Sequence, residues 1–204
     1  MKLLIVGGTQ FLGRAIVTAA VAAGHEVTLF NRGQTGTGLF PDLEKLKGDR
    51  STGDYAALQG RVFDAVIDVC AYYPRAVREL LAAVETKHFT LISTISVYAS
   101  NEQLGQDESA ELHTLTDPNT EEITGETYGG LKVLCEQAAI EMLPGNVLIV
   151  RSGLIMGAND HTQRFPYWTQ RIARGGRVIV PPALDDAIQM IDARDEAEWV
   201  IAKV

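Results

Sequence analysis

Apolar residues along the chain fall into short runs, and between the runs they recur at helical spacing. Residues 3–6 form an aliphatic run that ends in Gly7 and Gly8, after which Leu12, Ile16, Ala19, Ala20 and Ala23 follow on one helical stripe up to Gly24. This pattern predicts a strand, a tight turn and a helix with a glycine stop. A second β-branched and aromatic run, residues 27–30, gives way to the polar loop 31–38 with its three glycines, so a second strand is expected to end there. Further strands are expected at 45–46, 65–69, 89–92, 147–150 and 178–180, with helices over 75–85, 127–142, 165–174 and 195–204. Pro166 falls in the first turn of its helix, where proline is tolerated. Strands alternating with helices predict an α/β fold, a doubly wound parallel sheet with helices on both faces. The polar, acidic and aperiodic stretch 101–124 reads as a long surface excursion that borders the active site.

A chain of 204 residues suits one domain, 1–204, in which about residues 152–204 form a partial substrate-side region. With 46% hydrophobic and 22% charged residues it can bury a substantial core. The net charge of −8 is the wrong sign for neutralising nucleic-acid phosphates, which favours a small-molecule partner. Two cysteines, Cys70 and Cys135, do not make a disulfide framework and read as reduced thiols of a cytoplasmic protein. His25, His88, His113 and His161 lack the paired spacing of a zinc site, so no metal is expected. Residues 1–6 are too short an apolar run for a signal peptide, and residues 15–23 too short to cross about 30 Å of hydrocarbon, so no membrane partner is expected. Tyr167 and Trp168 can pack in the core or line a pocket, with packing favoured, and Asp185 and Asp186 read as a solvated loop.

Chemistry enters at the first turn. Gly7-Gly8-Thr9-Gln10-Phe11-Leu12-Gly13 lies between strand and helix, where glycines let a dinucleotide pyrophosphate approach a helix N-terminus, although a plain turn is also compatible. A nucleoside-triphosphate loop needs Lys and then Ser or Thr after the last glycine, whereas Gly13 is followed by Arg14 and Ala15. At the end of the second strand, Asn31 and Arg32 replace the carboxylate that would accept a ribose 2′-hydroxyl. A guanidinium there suits a 2′-phosphate and favours NADP over NAD, unless Arg32 is simply a solvated loop residue. Tyr128 and Lys132, four apart on a predicted helix, share one face. A phenol of ordinary pKa about 10 beside an ammonium is drawn toward phenolate and can exchange protons with a substrate.

These segments, together with Ser93-Thr94-Ile95-Ser96-Val97-Tyr98 and Arg151-Ser152-Gly153-Leu154-Ile155-Met156-Gly157, resemble the short-chain dehydrogenase/reductase superfamily. The likeness is to its extended and atypical branches, which contain nucleotide-sugar epimerases and dehydratases. Gly7 and Gly13 match the outer glycines of the family turn, while Gln10 replaces the middle one and Val6 the usual threonine, as in the atypical branch. The resemblance implies a Rossmann-type sheet whose NADP or NAD is held by Gly7, Thr9, Gln10, Phe11, Leu12 and Gly13. It also implies Asn31 and Arg32 at the adenosine ribose, Asp49 at the adenine unless it is an ordinary turn residue, and Ser152 and Gly153 at the nicotinamide edge. Thr94 takes the position that hydrogen-bonds the reacting oxygen, with Ser96 as the substitute if the register shifts; Tyr128 transfers the proton, and Lys132 holds the nicotinamide ribose. Hydride transfer belongs to the cofactor. The expected activity is therefore an NAD(P)-dependent oxidoreductase, epimerase or dehydratase acting on an alcohol or ketone carbon, a nucleotide sugar among the candidates.

The alternative is a non-catalytic NADP-binding module, against which the presence of Thr94, Tyr128 and Lys132 argues. Relatives usually pair as homodimers through the helix that contains Lys132, and some atypical ones associate with RNA, which the acidic charge disfavours. Extended relatives also continue further than Val204, so a small or truncated substrate part, or one completed by a partner subunit, is expected.

Overall fold

The structure is a computed structural model that describes residues 1–180 and 187–204. In chain order its elements are β1 (Lys2–Val6), α1 (Phe11–Ala22), β2 (Glu26–Asn31), β3 (Glu44–Lys47), β4 (Arg61–Phe63), β5 (Ala65–Asp68), α2 (Pro74–Ala83), β6 (Val84–Thr86), β7 (Phe89–Thr94), α3 (Tyr128–Met142), β8 (Val147–Ser152), β9 (Leu154–Met156), α4 (Arg164–Ala173), β10 (Met190–Asp192) and α5 (Ala193–Lys203). Six strands form one parallel sheet in the order β3-β2-β1-β5-β7-β8. The order reverses beside β1, and in open α/β sheets that reversal opens a crevice at the carboxyl ends of the strands.

Both faces of the sheet are covered, as near-continuous aliphatic strands require. Leu3, Ile5, Leu29 and Ile67 pack with Ile16 and Val17 of α1 and Val200 and Ile201 of α5. Leu4, Val6, Phe30 and Val66 point the other way, onto Val77 and Leu80 of α2 and Cys135 and Ala138 of α3. Period-2 alternation along β1 thus sorts its residues between two cores, and Leu3, Leu4 and Ile5 are completely buried. Burying such a side chain contributes about 1.5–3 kcal/mol, so a polar residue at Ile5 would open the α1 side of the sheet.

Several expectations need correction. Residues 178–180 form no strand: Ile179 is 95% exposed and nothing among the described residues pairs with this run, which follows two left-handed glycines, Gly175 and Gly176. The helix expected to reach residue 85 ends at Ala83, because residues 84–86 turn into β6 and pair with β4. Tyr167 and Trp168 are not core residues; they meet edge to face with centroids 5.2 Å apart on α4, none of whose residues is buried. Asp185 and Asp186 lie outside the described residues. No helix among the described residues is long and apolar enough to cross a membrane.

Candidate active site

The chain leaves β1 through Gly7, whose φ of +104° is left-handed and whose Cβ, if it had one, would lie 2.5 Å from Val69 Cγ2. At Gly13 a Cβ would come within 2.8 Å of the Gly8 nitrogen, so α1 can lie against the turn only without a side chain there. Gln10 precedes α1 without capping it through its side chain, and the first turn carries no acid. The first amides of α1 therefore keep their hydrogens for an anion, assisted by the helix dipole. Phe11 starts the helix at φ +39°, a conformation non-glycine residues seldom adopt.

Around this turn runs a cleft of about 550 Å³ at the carboxyl ends of β1, β2 and β5. On its β2–β3 side stand Asn31, Arg32 and Asp49. The Asn31 amide donates to the Gly7 carbonyl at 3.3 Å and accepts from the Gly33 N–H at 2.8 Å, so it staples the two turns together. Arg32 is exposed and has no ion-pair partner among the described residues. Hydrogen bonds from the Ser51 hydroxyl (2.6 Å) and N–H (2.9 Å), with the Arg32 charge in addition, hold the Asp49 carboxyl below its usual range.

On the opposite side the cleft receives Tyr128 and Lys132, one turn apart on α3. Lys132 is buried and donates to the carbonyls of Ala71 and Ile92, both at 2.8 Å. Burial pushes its ammonium below the usual lysine range. Tyr128 differs from the simple expectation of a lowered phenol: burial pushes it up, and the Thr94 hydroxyl and the Arg164 charge pull the other way. Facing the glycine turn is a segment that the sequence did not mark as functional. Arg14 donates to Asn159 at 2.9 Å, His161 meets Phe11 edge to face at 6.4 Å, and Thr162 and Arg164 continue the wall.

Thr94 itself does not line this cleft. Its oxygen accepts from the Ser96 N–H at 3.1 Å, capping a short 3₁₀ turn over Ile95–Val97, and its hydroxyl donates to Ser96 at 3.2 Å. Ser96 lines a second cavity of about 420 Å³, which Tyr128 shares and to which Asn101, Ile123 and Thr124 bring the two ends of the long excursion. Ser152 and Gly153 stand away from the cleft, because the Ser152 hydroxyl donates to the buried Glu196 carboxyl of α5 and Gly153 faces the Gln189 side chain.

Two partly buried ion pairs, each with a buried carboxylate, brace the sheet around the site and have no local sequence signal. Arg50 meets Asp68 through two bonds of 2.7 Å and touches the Cys70 sulfur at 3.3 Å, joining the loop after β3 to the end of β5. Burial alone would lower the Arg50 pKa, but the Asp68 carboxylate more than offsets it. Arg151 reaches Glu136 at 2.8 Å, and its guanidinium lies 5.0 Å from the centre of the Tyr98 ring, tying β8 to α3 and to the segment after β7. A salt-linked pair is recognisable in a sequence only when its members share a helix or hairpin, and here 18 and 15 residues separate them.

No family model matches the chain. Over 119 residues, half of its length, it is 31% identical to the chloroplast stem-loop binding protein of 41 kDa b from Arabidopsis thaliana, of which the match spans 32%. Among solved structures, UDP-N-acetylglucosamine 4-epimerase from Bacillus cereus superposes with a TM-score of 0.72 at 20% identity, covering 98% of this chain and 70% of the epimerase. A human epimerase family protein solved with NADPH gives a TM-score of 0.67 at 21% identity, covering 97% and 68%. The chain has the fold of these two solved structures.

Proposed function

We propose that the chain binds a nicotinamide dinucleotide, NADP in preference to NAD, and interconverts an alcohol and a ketone carbon as an oxidoreductase, epimerase or dehydratase. What carries the reading is one cleft in which the uncapped start of α1, an unpaired guanidinium and the Tyr128–Lys132 pair converge. The residues fit such a cofactor: Gly7 and Gly13 leave no room for side chains at the turn, and Arg32 offers an exposed guanidinium that is in no ion pair among the described residues. Gly7, Thr9, Gln10, Phe11, Leu12 and Gly13 would hold the pyrophosphate, Arg32 a 2′-phosphate, and Asp49 the adenine. Asn31 would act through the turn it staples. When bound, the nicotinamide supplies the hydride. Tyr128 moves a proton between its hydroxyl and the substrate oxygen, and the Arg164 charge makes phenolate more accessible than burial alone would. Lys132, fixed by two carbonyls, retains a third N–H for a ribose hydroxyl. The similarity to an NADPH-bound epimerase family protein is in keeping with this reading.

Calorimetric titration with NADP and NAD tests it. NADP is expected to bind about tenfold more tightly, a difference of about 1.4 kcal/mol, and Arg32→Ala to remove that margin. NAD preference would overturn the Arg32 assignment alone; no binding of either would end the proposal. One observation favours a second reading, a binding module without turnover: the Thr94 oxygen is engaged with Ser96 and does not line the cleft. Turnover that disappears in Tyr128→Phe would exclude that reading.

A further inference from the structure

Two guanidinium groups in the cleft have no carboxylate partner among the described residues, and they stand on opposite sides of it. Arg32 follows β2, whereas Arg164 begins α4 on the side of Tyr128. The other two cations of the lining are already committed: Arg50 is matched by Asp68 at 2.7 Å, and Lys132 is bonded to two backbone carbonyls. Asp49 is the one carboxylate among the described lining residues, and it stands near Arg32. If a dinucleotide lies in the cleft as proposed above, its phosphates are met by the glycine turn and Arg32. The charge of Arg164 is then left over on the reactive side.

Arg164 is also held in place. Its Nε donates to the Thr162 hydroxyl oxygen at 3.1 Å, and the Thr162 hydroxyl donates to Asp160 at 2.6 Å. Asp160 is itself buried and accepts the Thr162 N–H at 2.8 Å, so the turn that carries the guanidinium is anchored. The terminal nitrogens of Arg164 have no hydrogen-bond partner among the described residues, leaving the fork that binds carboxylate or phosphate in bidentate fashion unused. Its charge also reaches the phenol of Tyr128.

We infer that Arg164 selects a substrate bearing an oxyanion, a carboxylate or phosphate, close to the alcohol or ketone carbon that Tyr128 serves. The inference rests on the proposed cofactor reading, and the test separates the two. The protein is first titrated with NADP, and then, saturated with NADP, with UDP, malonate and uncharged glucose. UDP or malonate is expected to bind, and Arg164→Gln to weaken that anion by about 10- to 100-fold, as for a lost charge-assisted bond. Arg164→Lys should restore part of the affinity, and NADP affinity should be the same in both variants. A preference for UDP identifies a phosphate source, and one for malonate a carboxylate. Binding of neither anion, or anion binding unchanged in Arg164→Gln, overturns the inference while leaving the cofactor site standing. NADP affinity that falls in Arg164→Gln assigns the residue to the cofactor and overturns it too. Failure of the unmodified protein to bind NADP removes the premise, and the inference falls with it.

Discussion

Tyr128 lies where burial and nearby polar groups oppose each other, and its chemistry depends on the balance. Desolvation favours the neutral phenol, whereas the Thr94 hydroxyl and the Arg164 charge favour phenolate. Tyr128→Phe removes the proton carrier but little of the wall, so turnover should fall about 10²- to 10⁴-fold with NADP affinity unchanged, as measured by steady-state rates beside calorimetry. Glu196 offers a stability readout away from the cleft. Its carboxyl is buried against the α1–α5 core, one oxygen accepts from Ser152, and the other has no partner. Burial pushes its pKa up. The folded state therefore holds the proton more tightly than the unfolded chain, and the contribution to stability is complete below the ordinary glutamate pKa and lost as pH rises through the raised one. Glu196→Gln removes this loss: relative to the parent it should gain about 1 kcal/mol or more at pH 8, a few degrees in Tm, and almost nothing at pH 4. Equal Tm differences at the two pH values would refute the assignment.

At the scale of elements, the Arg50–Asp68 pair joins the loop after β3 to the end of β5 and so frames one wall of the cleft. Asp68 is completely buried, and removing it would leave a guanidinium without its counter-charge. Asp68→Ala should cost about 3–5 kcal/mol, a Tm drop on the order of 10 °C. The double substitution Arg50→Met with Asp68→Leu should recover most of it, since an apolar pair of similar volume needs no compensation; thermal unfolding of the three proteins decides this. Nothing in the sequence announces that pair, and the reason is general. Five strands of the main sheet and the five α-helices among the described residues were legible because each carries its own periodicity or apolar run, and the glycine turn because its constraint is local; β3 has Leu46 as its one apolar residue and is defined by its pairing with β2. The three-residue strands β4, β6, β9 and β10 are shorter than any period can register. Residues 178–180 have strand composition but no partner among the described residues, so composition misled there. His161 and Arg164 reach the cleft only because the chain folds back over α1, through Asn159 on Arg14 and His161 on Phe11.

For the molecule as a whole, an acidic surface surrounds a cationic cleft. The chain carries −8, yet Arg32, Lys132 and Arg164 line the cleft against Asp49, while Arg50 is neutralised by Asp68 just behind the lining. A small multivalent anion can enter such a cleft while an extended polyanion is repelled by the surrounding surface. Arg32 is exposed at the edge, so whatever discrimination it provides between NADP and NAD acts through solvent and must be screened. The screening length is about 30 Å at 0.01 M salt and about 3 Å at 1 M. The NADP/NAD affinity ratio should therefore be largest at low salt and approach one at 1 M, whereas in Arg32→Ala it should be near one throughout. NAD affinity itself, carried by the short-range contacts of the glycine turn, should change less than NADP affinity over the same series. Calorimetric titrations at four salt concentrations measure both curves. A ratio that persists at 1 M salt would mean that shape, through the Asn31-stapled turn, discriminates between the cofactors and that the Arg32 charge does not.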